Sequence, residues 1–243
     1  MALLSQGPFE IPWSRGSLSD GTHTFSAVAT DTSGNRTVST PATVLIDNTP
    51  PVISLAVLSN RLLAQATDAS GVASVSFELD GQPFGPAVFA PPFEVPWSRL
   101  SLSDGPHSFR AVATDAVGNR AVSAPVDVVV DNTPPVLAVE ASPAFIWPPN
   151  NKLVPVQIAV SLIDAIDVAP TVVLEVVACN DGCSPSADIV GAAIGSNDRS
   201  VSVRAKRTGA GNGRTYSLTY KATDSAGNSV RKTVQIVVPH DQH

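Results

Sequence analysis

Residues 93–135 read FEVPWSRLSLSDGPHSFRAVATDAVGNRAVSAPVDVVVDNTPP, and residues 9–51 read FEIPWSRGSLSDGTHTFSAVATDTSGNRTVSTPATVLIDNTPP. The two stretches align without a gap at an offset of 84 and share 30 of 43 positions. Solenoid units run about 20–50 residues, so this period suits tandem copies of a small autonomous domain instead. A third, diverged copy is marked by Asp224-Ser-Ala-Gly-Asn228, which matches Asp115-Ala-Val-Gly-Asn119 and Asp31-Thr-Ser-Gly-Asn35. From Pro51 to Asp115 is 64 residues and from Pro135 to Asp224 is 89, so the third copy carries 25 more, placed between Cys179 and Asn212.

Counting one period back from Val52 puts the start of the first copy ahead of Met1. The expected organisation is therefore four parts: 1–48 as the C-terminal half of a truncated domain, 49–132 as a complete one, 133–239 as a longer one, and 240–243 as a tail. Read this way, the chain is a C-terminal piece of a longer protein. The truncated copy, lacking its opening strands, is expected to be mobile, to pack abnormally or to pair with another chain. The boundaries are Asp47-Asn-Thr-Pro-Pro51 and Asp131-Asn-Thr-Pro-Pro135. Paired prolines favour a stiff, extended connection and cannot sit in a central strand.

Composition narrows the function classes. The chain has 243 residues, 15 Lys plus Arg and 21 Asp plus Glu, for a net charge of −6. Nucleic-acid and anionic-membrane binding need concentrated basic residues, so both are excluded as partners. Apolar residues reach 43% and aromatics only 5%, which predicts small aliphatic cores over aromatic-lined pockets. No run of about 18 apolar residues encodes a membrane span. No basic n-region or apolar h-region opens the sequence.

In the second copy, period-2 runs broken by turn residues predict strands over 52–58, 61–67, 72–79, 107–114 and 126–130. Asp80-Gly81 predicts a tight hairpin. Seven or so strands in about 80 residues without helical periodicity predict an all-β fold of tandem two-sheet antiparallel sandwiches. Asp20-Gly-Thr-His23-Thr-Phe25 and Asp104-Gly-Pro-His107-Ser-Phe109 each set a ring two residues before a core residue, and Tyr216 precedes Leu218 in the same way. This resembles the tyrosine corner of immunoglobulin folds, where the ring's polar atom bonds backbone near a turn. The histidines read as hydrogen-bonding handles, not bases.

The pattern D-G-x-H-x-F-x-A-x-A-x-D-x-x-G-N resembles the tandem bacterial Ig-like domains of secreted and surface proteins. The third copy, with Ile146-Trp-Pro-Pro-Asn150, Val203-Arg-Ala-Lys-Arg207, Gly211-Asn-Gly-Arg214 and Val238-Pro-His-Asp241, resembles a related module that often comes last in them. The resemblance implies immunoglobulin-like sandwiches, the first truncated, in an extracellular or cell-surface setting. It does not imply an activity.

The acidic and amide residues form the most informative set. Asp115 and Asp224 end one strand, Asp68, Asp164 and Asp167 another, and in such a sandwich both ends face the same way. The linkers arrive there: Asp47 and Asn48 beside Asp68, Asp115 and Asn119, and Asp131 and Asn132 beside Asp164, Asp167, Asp224 and Asn228. Two readings stand side by side. Asp and Asn with Gly are good turn formers, because Asx side chains bond nearby backbone. They are also the hard oxygen ligands that Ca²⁺ gathers, six to eight at roughly 2.3–2.6 Å. The second reading has the logic of cadherin junctions, where calcium stiffens a string of domains.

Cys179-Asn-Asp-Gly-Cys183 reads as a small disulfide loop, with a reduced, inert pair as the alternative. Trp13 and Trp97 occupy equivalent positions and read as packing, and Arg204, Lys206, Arg207 and Arg214 as a solvated strand face. No nucleophile elbow, zinc-protease helix or phosphate loop is present, and no catalytic residue is assigned. The leading functional expectation is a non-catalytic spacer, stalk or adhesive module of a larger protein. Its expected partners are the other domains of that protein and a surface glycan or protein ligand. The alternative is a carbohydrate-binding accessory region of a secreted enzyme.

Overall fold

The computed structural model describes residues 6–7, 9–180, 182–208 and 213–240. The expected tail lies outside them apart from His240, as do residues 211 and 212 of the Gly211–Arg214 motif. The chain divides into two compact units, Met1–Leu102 with Pro106–Val129, and Ser103–Gly105 with Val130–His243.

The first copy contributes β1 (Gly21–Phe25), β2 (Val28–Thr30), β3 (Arg36–Val38) and β4 (Ala42–Ile46). Among the described residues these form two short antiparallel pairs, β1 with β4 and β2 with β3. The second copy follows with β5 (Val52–Val57), β6 (Arg61–Thr67), β7 (Val72–Leu79), β8 (Gln82–Val88), β9 (Phe93–Pro96), β10 (Gly105–Asp115), β11 (Arg120–Val122) and β12 (Val126–Val130). One sheet has the order β5-β6-β9 and the other β11-β10-β7-β8, with β12 also on β10. Alternation sends Leu62, Ala64, Phe93 and Val95 from the first sheet against Val75, Phe77, Phe109, Ala111 and Ala113 from the second, as one buried core. Asp80 and Gly81 adopt φ of 53° and 77° between paired Leu79 and Gln82, the left-handed geometry of a two-residue hairpin.

The third copy is built from β13 (Val136–Ser142), β14 (Leu153–Ile163), β15 (Thr171–Cys179), α1 (Pro185–Asp188), β16 (Ile189–Val190), β17 (Ser200–Arg204), β18 (Arg214–Thr223) and β19 (Ser229–Val238). Its sheets are β13-β14-β17-β16 and β15-β18-β19. In immunoglobulin lettering these are A-B-E-D and C-F-G, the constant-type arrangement. The second copy instead places its fourth strand beside strand C. The extra length of the third copy thus reaches β17 by way of α1 and β16.

Strand β18 buries every second residue, Arg214, Tyr216, Leu218, Tyr220 and Ala222. Arg214 corrects the reading of a solvated basic face. Its guanidinium is fully buried, 2.9 Å from Asp188 Oδ2, while Arg204 Nε lies 3.0 Å from Asp188 Oδ1. A buried guanidinium needs such a counter-charge, and it comes from the one-turn helix that the repeat comparison could not foresee.

The first two copies compare one sequence in two settings. FEVP at 93–96 is strand β9 because Phe93 and Val95 pair with Ala64 and Leu62 of β6. FEIP at 9–12 has no such partner strand among the described residues and is irregular. Likewise β10 runs unbroken along β7, whereas its counterpart splits into β1 and β2. Tertiary pairing, not local preference, makes these strands. The Trp–Phe contact survives in both: ring centroids are 5.3 Å apart for Trp97–Phe109 and 5.3 Å for Trp13–Phe25. The energetics should diverge accordingly. Phe109→Ala is expected to cost about 3–5 kcal/mol, and the equivalent Phe25→Ala less than about 1 kcal/mol, as for a surface site, measured by urea denaturation of each variant.

Candidate functional site

Each Asp-x-x-Gly-Asn segment forms the same closed turn. In the second copy Asp115 Oδ1 accepts from the backbone N–H of Val117 at 2.9 Å and of Asn119 at 2.8 Å. Gly118 lies at φ +95°, a conformation a side chain would strain. Asp115 Oδ2 accepts from Asn119 Nδ2 at 2.7 Å. The same Asp–Asn amide bond measures 2.8 Å in both Asp31–Asn35 and Asp224–Asn228.

The amide then reaches the linker. Asn119 Nδ2 also donates to the Asp47 carbonyl at 3.0 Å, and Asn228 Nδ2 to the Asp131 carbonyl at 3.0 Å. A second clamp holds the next two linker residues. Asp20 Oδ1 accepts from Asn48 N–H at 2.7 Å, and Thr49 Oγ1 donates to its Oδ2 at 2.5 Å. One period on, Asp104 Oδ1 accepts from Asn132 N–H at 2.7 Å and its Oδ2 from the Thr133 hydroxyl. Asp20 and Asp104 open the two corner motifs, and the recurrence of Ser-Asp-Gly at the same offset is the sequence signal for this clamp.

Three carboxylates meet at each place. Oxygens of Asp47, Asp68 and Asp115 lie within 4.8 Å of one another, and so do those of Asp131, Asp164 and Asp224. The turn reading accounts for one oxygen of several of them. Asp68 Oδ1 accepts from Ser70 N–H, Asp164 Oδ1 from the N–H groups of Ile166 and Asp167, and Asp47 Oδ1 from Thr49 N–H. The Oδ2 atoms of Asp47 and Asp164 are buried and carry no hydrogen bond. Asp47 itself is only 8% exposed. Burial, with the charges of Asp224, Asp164 and Asp104, holds the Asp131 carboxyl above the usual carboxylate range. Burial also pushes Asp115 up, but its hydrogen bonds with Asn119, Val117 and Gly118 outweigh that and leave it below the range.

The other expected site residues fall outside these trios. Asn48 Nδ2 donates to Leu18 O at 3.0 Å and to Asp20 Oδ1 at 3.1 Å. Asn119 and Asn228 hold the linker carbonyls, and Asn132 is held by Asp104. Asp167 ties two loops of the third copy together, accepting from Ala169 N–H at 2.9 Å and Ser225 N–H at 2.6 Å. Cys179 and Cys183 form a disulfide at the end of β15.

The sequence profile of the bacterial Ig-like domain (group 3) matches residues 7–80 and 92–198. The chain belongs to that family. Among proteins similar to this bacterial Ig-like chain is a long-isoform ulvan lyase of Pseudoalteromonas sp. (strain PLSV), 30% identical over 125 residues, which are 44% of this chain and 12% of the lyase. The chain thus spans about an eighth of that relative. The fibronectin(III)-like modules of Clostridium thermocellum CbhA are 15% identical with a TM-score of 0.36, covering 79% of this chain and 99% of theirs. A solved segment of a 1.5-MDa bacterial ice-binding adhesin is 17% identical with a TM-score of 0.43, covering 92% of this chain and 75% of its own. No helix among the described residues is long and apolar enough to cross a membrane.

The linker clamp is directly testable. Asp104→Ala removes the acceptor of the Asn132 N–H and the Thr133 hydroxyl. The amide of Asn132 is expected to exchange with solvent at least about tenfold faster, while β14 and β18 amides keep their protection.

Proposed function

We propose that this chain is a non-catalytic, extracellular string of Ig-like units acting as a spacer or adhesive stalk of a larger protein. In it, calcium fastens each linker to the unit that follows. The observation that carries the reading is the buried, unbonded Asp47 Oδ2 set among the carboxylates of Asp68 and Asp115. Burying carboxylate charge without a partner is costly, and converging like charges add to that cost. A divalent cation removes both penalties at once. Hard oxygens without thiolate or imidazole select Ca²⁺ over softer metals. The same trio recurs at the second linker, where burial and its acidic neighbours hold the Asp131 carboxyl above its ordinary range.

The consequence is mechanical. The Asn119 and Asn228 amides already hold the carbonyls of Asp47 and Asp131, and a cation on either carboxylate would add a second anchor from the same residue. The proline pair that follows cannot join a central strand.

In thermal melts of chelator-treated protein, millimolar CaCl₂ is expected to raise the transition by several degrees. A hundredfold excess over Kd adds about 2.7 kcal/mol of stability. Asp131→Asn should melt no lower than the parent without calcium, because it removes a disfavoured charge, yet should lose the calcium-induced rise of the third-copy transition. An unchanged melting temperature at millimolar Ca²⁺ would remove calcium from the account.

A second reading, a polysaccharide-binding accessory region of a secreted enzyme, is favoured by the stretch similar to the ulvan lyase. Trp97 is an unsuitable sugar platform, because its Nε1 donates to Leu58 O at 2.6 Å and its ring packs on Phe109. Trp147 is 41% exposed and suits that role better. Retardation in ulvan-containing affinity gels, abolished by Trp147→Ala without a change in melting temperature, would establish this reading. Equal mobility with and without the polysaccharide would dismiss it.

A further inference from the structure

The third copy buries a charge where the second copy has none. Aligned on Asp224 and Asp115, Arg214 falls where the second copy has Gly105, and its counter-charge Asp188 lies in the stretch that only the third copy has. Arg214 is 1% exposed and Asp188 8%. A guanidinium taken out of water is costly unless a carboxylate is held against it, so whatever places Asp188 governs how β18 packs. Asp188 ends α1, a single turn too short to persist on its own hydrogen bonds. Its C-terminal side is anchored at once, because Ile189 and Val190 pair with Val203 and Ser202 of β17. On its N-terminal side, Ser184 N–H donates to Asp188 Oδ2 at 3.2 Å, and Asp188 N–H donates to Ser184 O at 2.8 Å. Ser184 directly follows Cys183, which is bonded to Cys179, and Cys179 pairs with Tyr216 of β18. The bridge thus ties the start of α1 to the neighbourhood of the strand that carries Arg214.

We infer that the Cys179–Cys183 bridge is a redox clasp that holds Asp188 against Arg214. A dithiol reductant opens it: the S–S bond gives two thiols, and the two electrons and two protons come from the dithiol, which leaves as a disulfide. The start of α1 then loses its anchor, and Asp188 its fixed place between Arg214 and Arg204. The effect travels on through Arg204, which also donates to Ala187 O at 3.3 Å and to Asn151 O at 3.2 Å. The loop that carries Trp147 and Asn151 is therefore steadied by the same clasp. An oxidising compartment closes it and completes the packing of the third copy. The inference uses none of the trio carboxylates and is independent of calcium.

Closing so short a loop removes little chain entropy, and that contribution is the same whatever side chain stands at 214. The test exploits this. Thermal melts of the full chain, oxidised and dithiol-reduced, are compared with those of the double variant Asp188→Asn, Arg214→Met, in which no buried ion pair needs placing. Reduction is expected to lower the third-copy transition by at least about 5 °C in the parent and by less than half as much in the variant. In the parent, reduction should also speed hydrogen exchange at Ser184 and Asp188 at least about tenfold, while Leu218 keeps its protection. A parent transition unmoved by reduction would overturn the inference, as would a loss equally large in the variant. So would unchanged exchange at Ser184 and Asp188 in the reduced parent, the comparison that decides alone should the double variant fail to fold.

Discussion

A carboxylate that must close a turn and face a linker at the same time is the constraint on which the arrangement rests. Asp115 is the last residue of β10, and Asp224 directly follows the last residue of β18. Each orients the asparagine four residues on, and that asparagine's remaining amide hydrogen takes the linker carbonyl. Glycine before the asparagine supplies the left-handed backbone that closes the loop. With the linker drawn in, Asp47 and Asp131 bring their own carboxylates beside those of the turns and of Asp68 and Asp164. The trios are therefore a product of satisfying backbone groups, and their charge is the cost of that solution. In the proposed reading a bound cation would turn that cost into an attachment.

Much of this was legible because tandem repetition restricts what a residue can be. Offsets of 84 separated the invariant Asp, Gly and Asn of the turn from freely varying strand faces. Sandwich topology then put the strand ends together without any contact being known. The corner residues were legible in kind but not in partner. His23 Nε2 bonds Ser19 O at 2.7 Å and the Tyr216 hydroxyl donates to Arg204 O at 2.6 Å, both backbone groups. His107 Nδ1 instead meets Asp80 Oδ2 at 2.7 Å, and that bond holds the Asp80 carboxyl below its ordinary range. Asp80 sits on a hairpin 27 residues upstream, and a local pattern carries no sign of it.

The asparagines show what side-chain type alone leaves open. Asn48, Asn119, Asn132 and Asn228 share the oxygen chemistry of a calcium ligand, but an amide also donates. Leu18 O and the Asp20 carboxylate take up the donors of Asn48, and linker carbonyls those of Asn119 and Asn228. Asn132 is held through its backbone by Asp104. The buried Arg214–Asp188 pair was illegible for another reason: its anion lies in the stretch that only the third copy has, so repetition offered no comparison. The FEIP and FEVP segments add the converse lesson, since near-identical residues form a strand only where a neighbouring strand receives them.

Isothermal titration of metal-free chain with CaCl₂ tests the central claim most directly. Two calcium ions per chain are expected, falling to one on Asp68→Asn with the other site unaltered. A flat titration at millimolar Ca²⁺, or an unchanged stoichiometry of two in that variant, would contradict it.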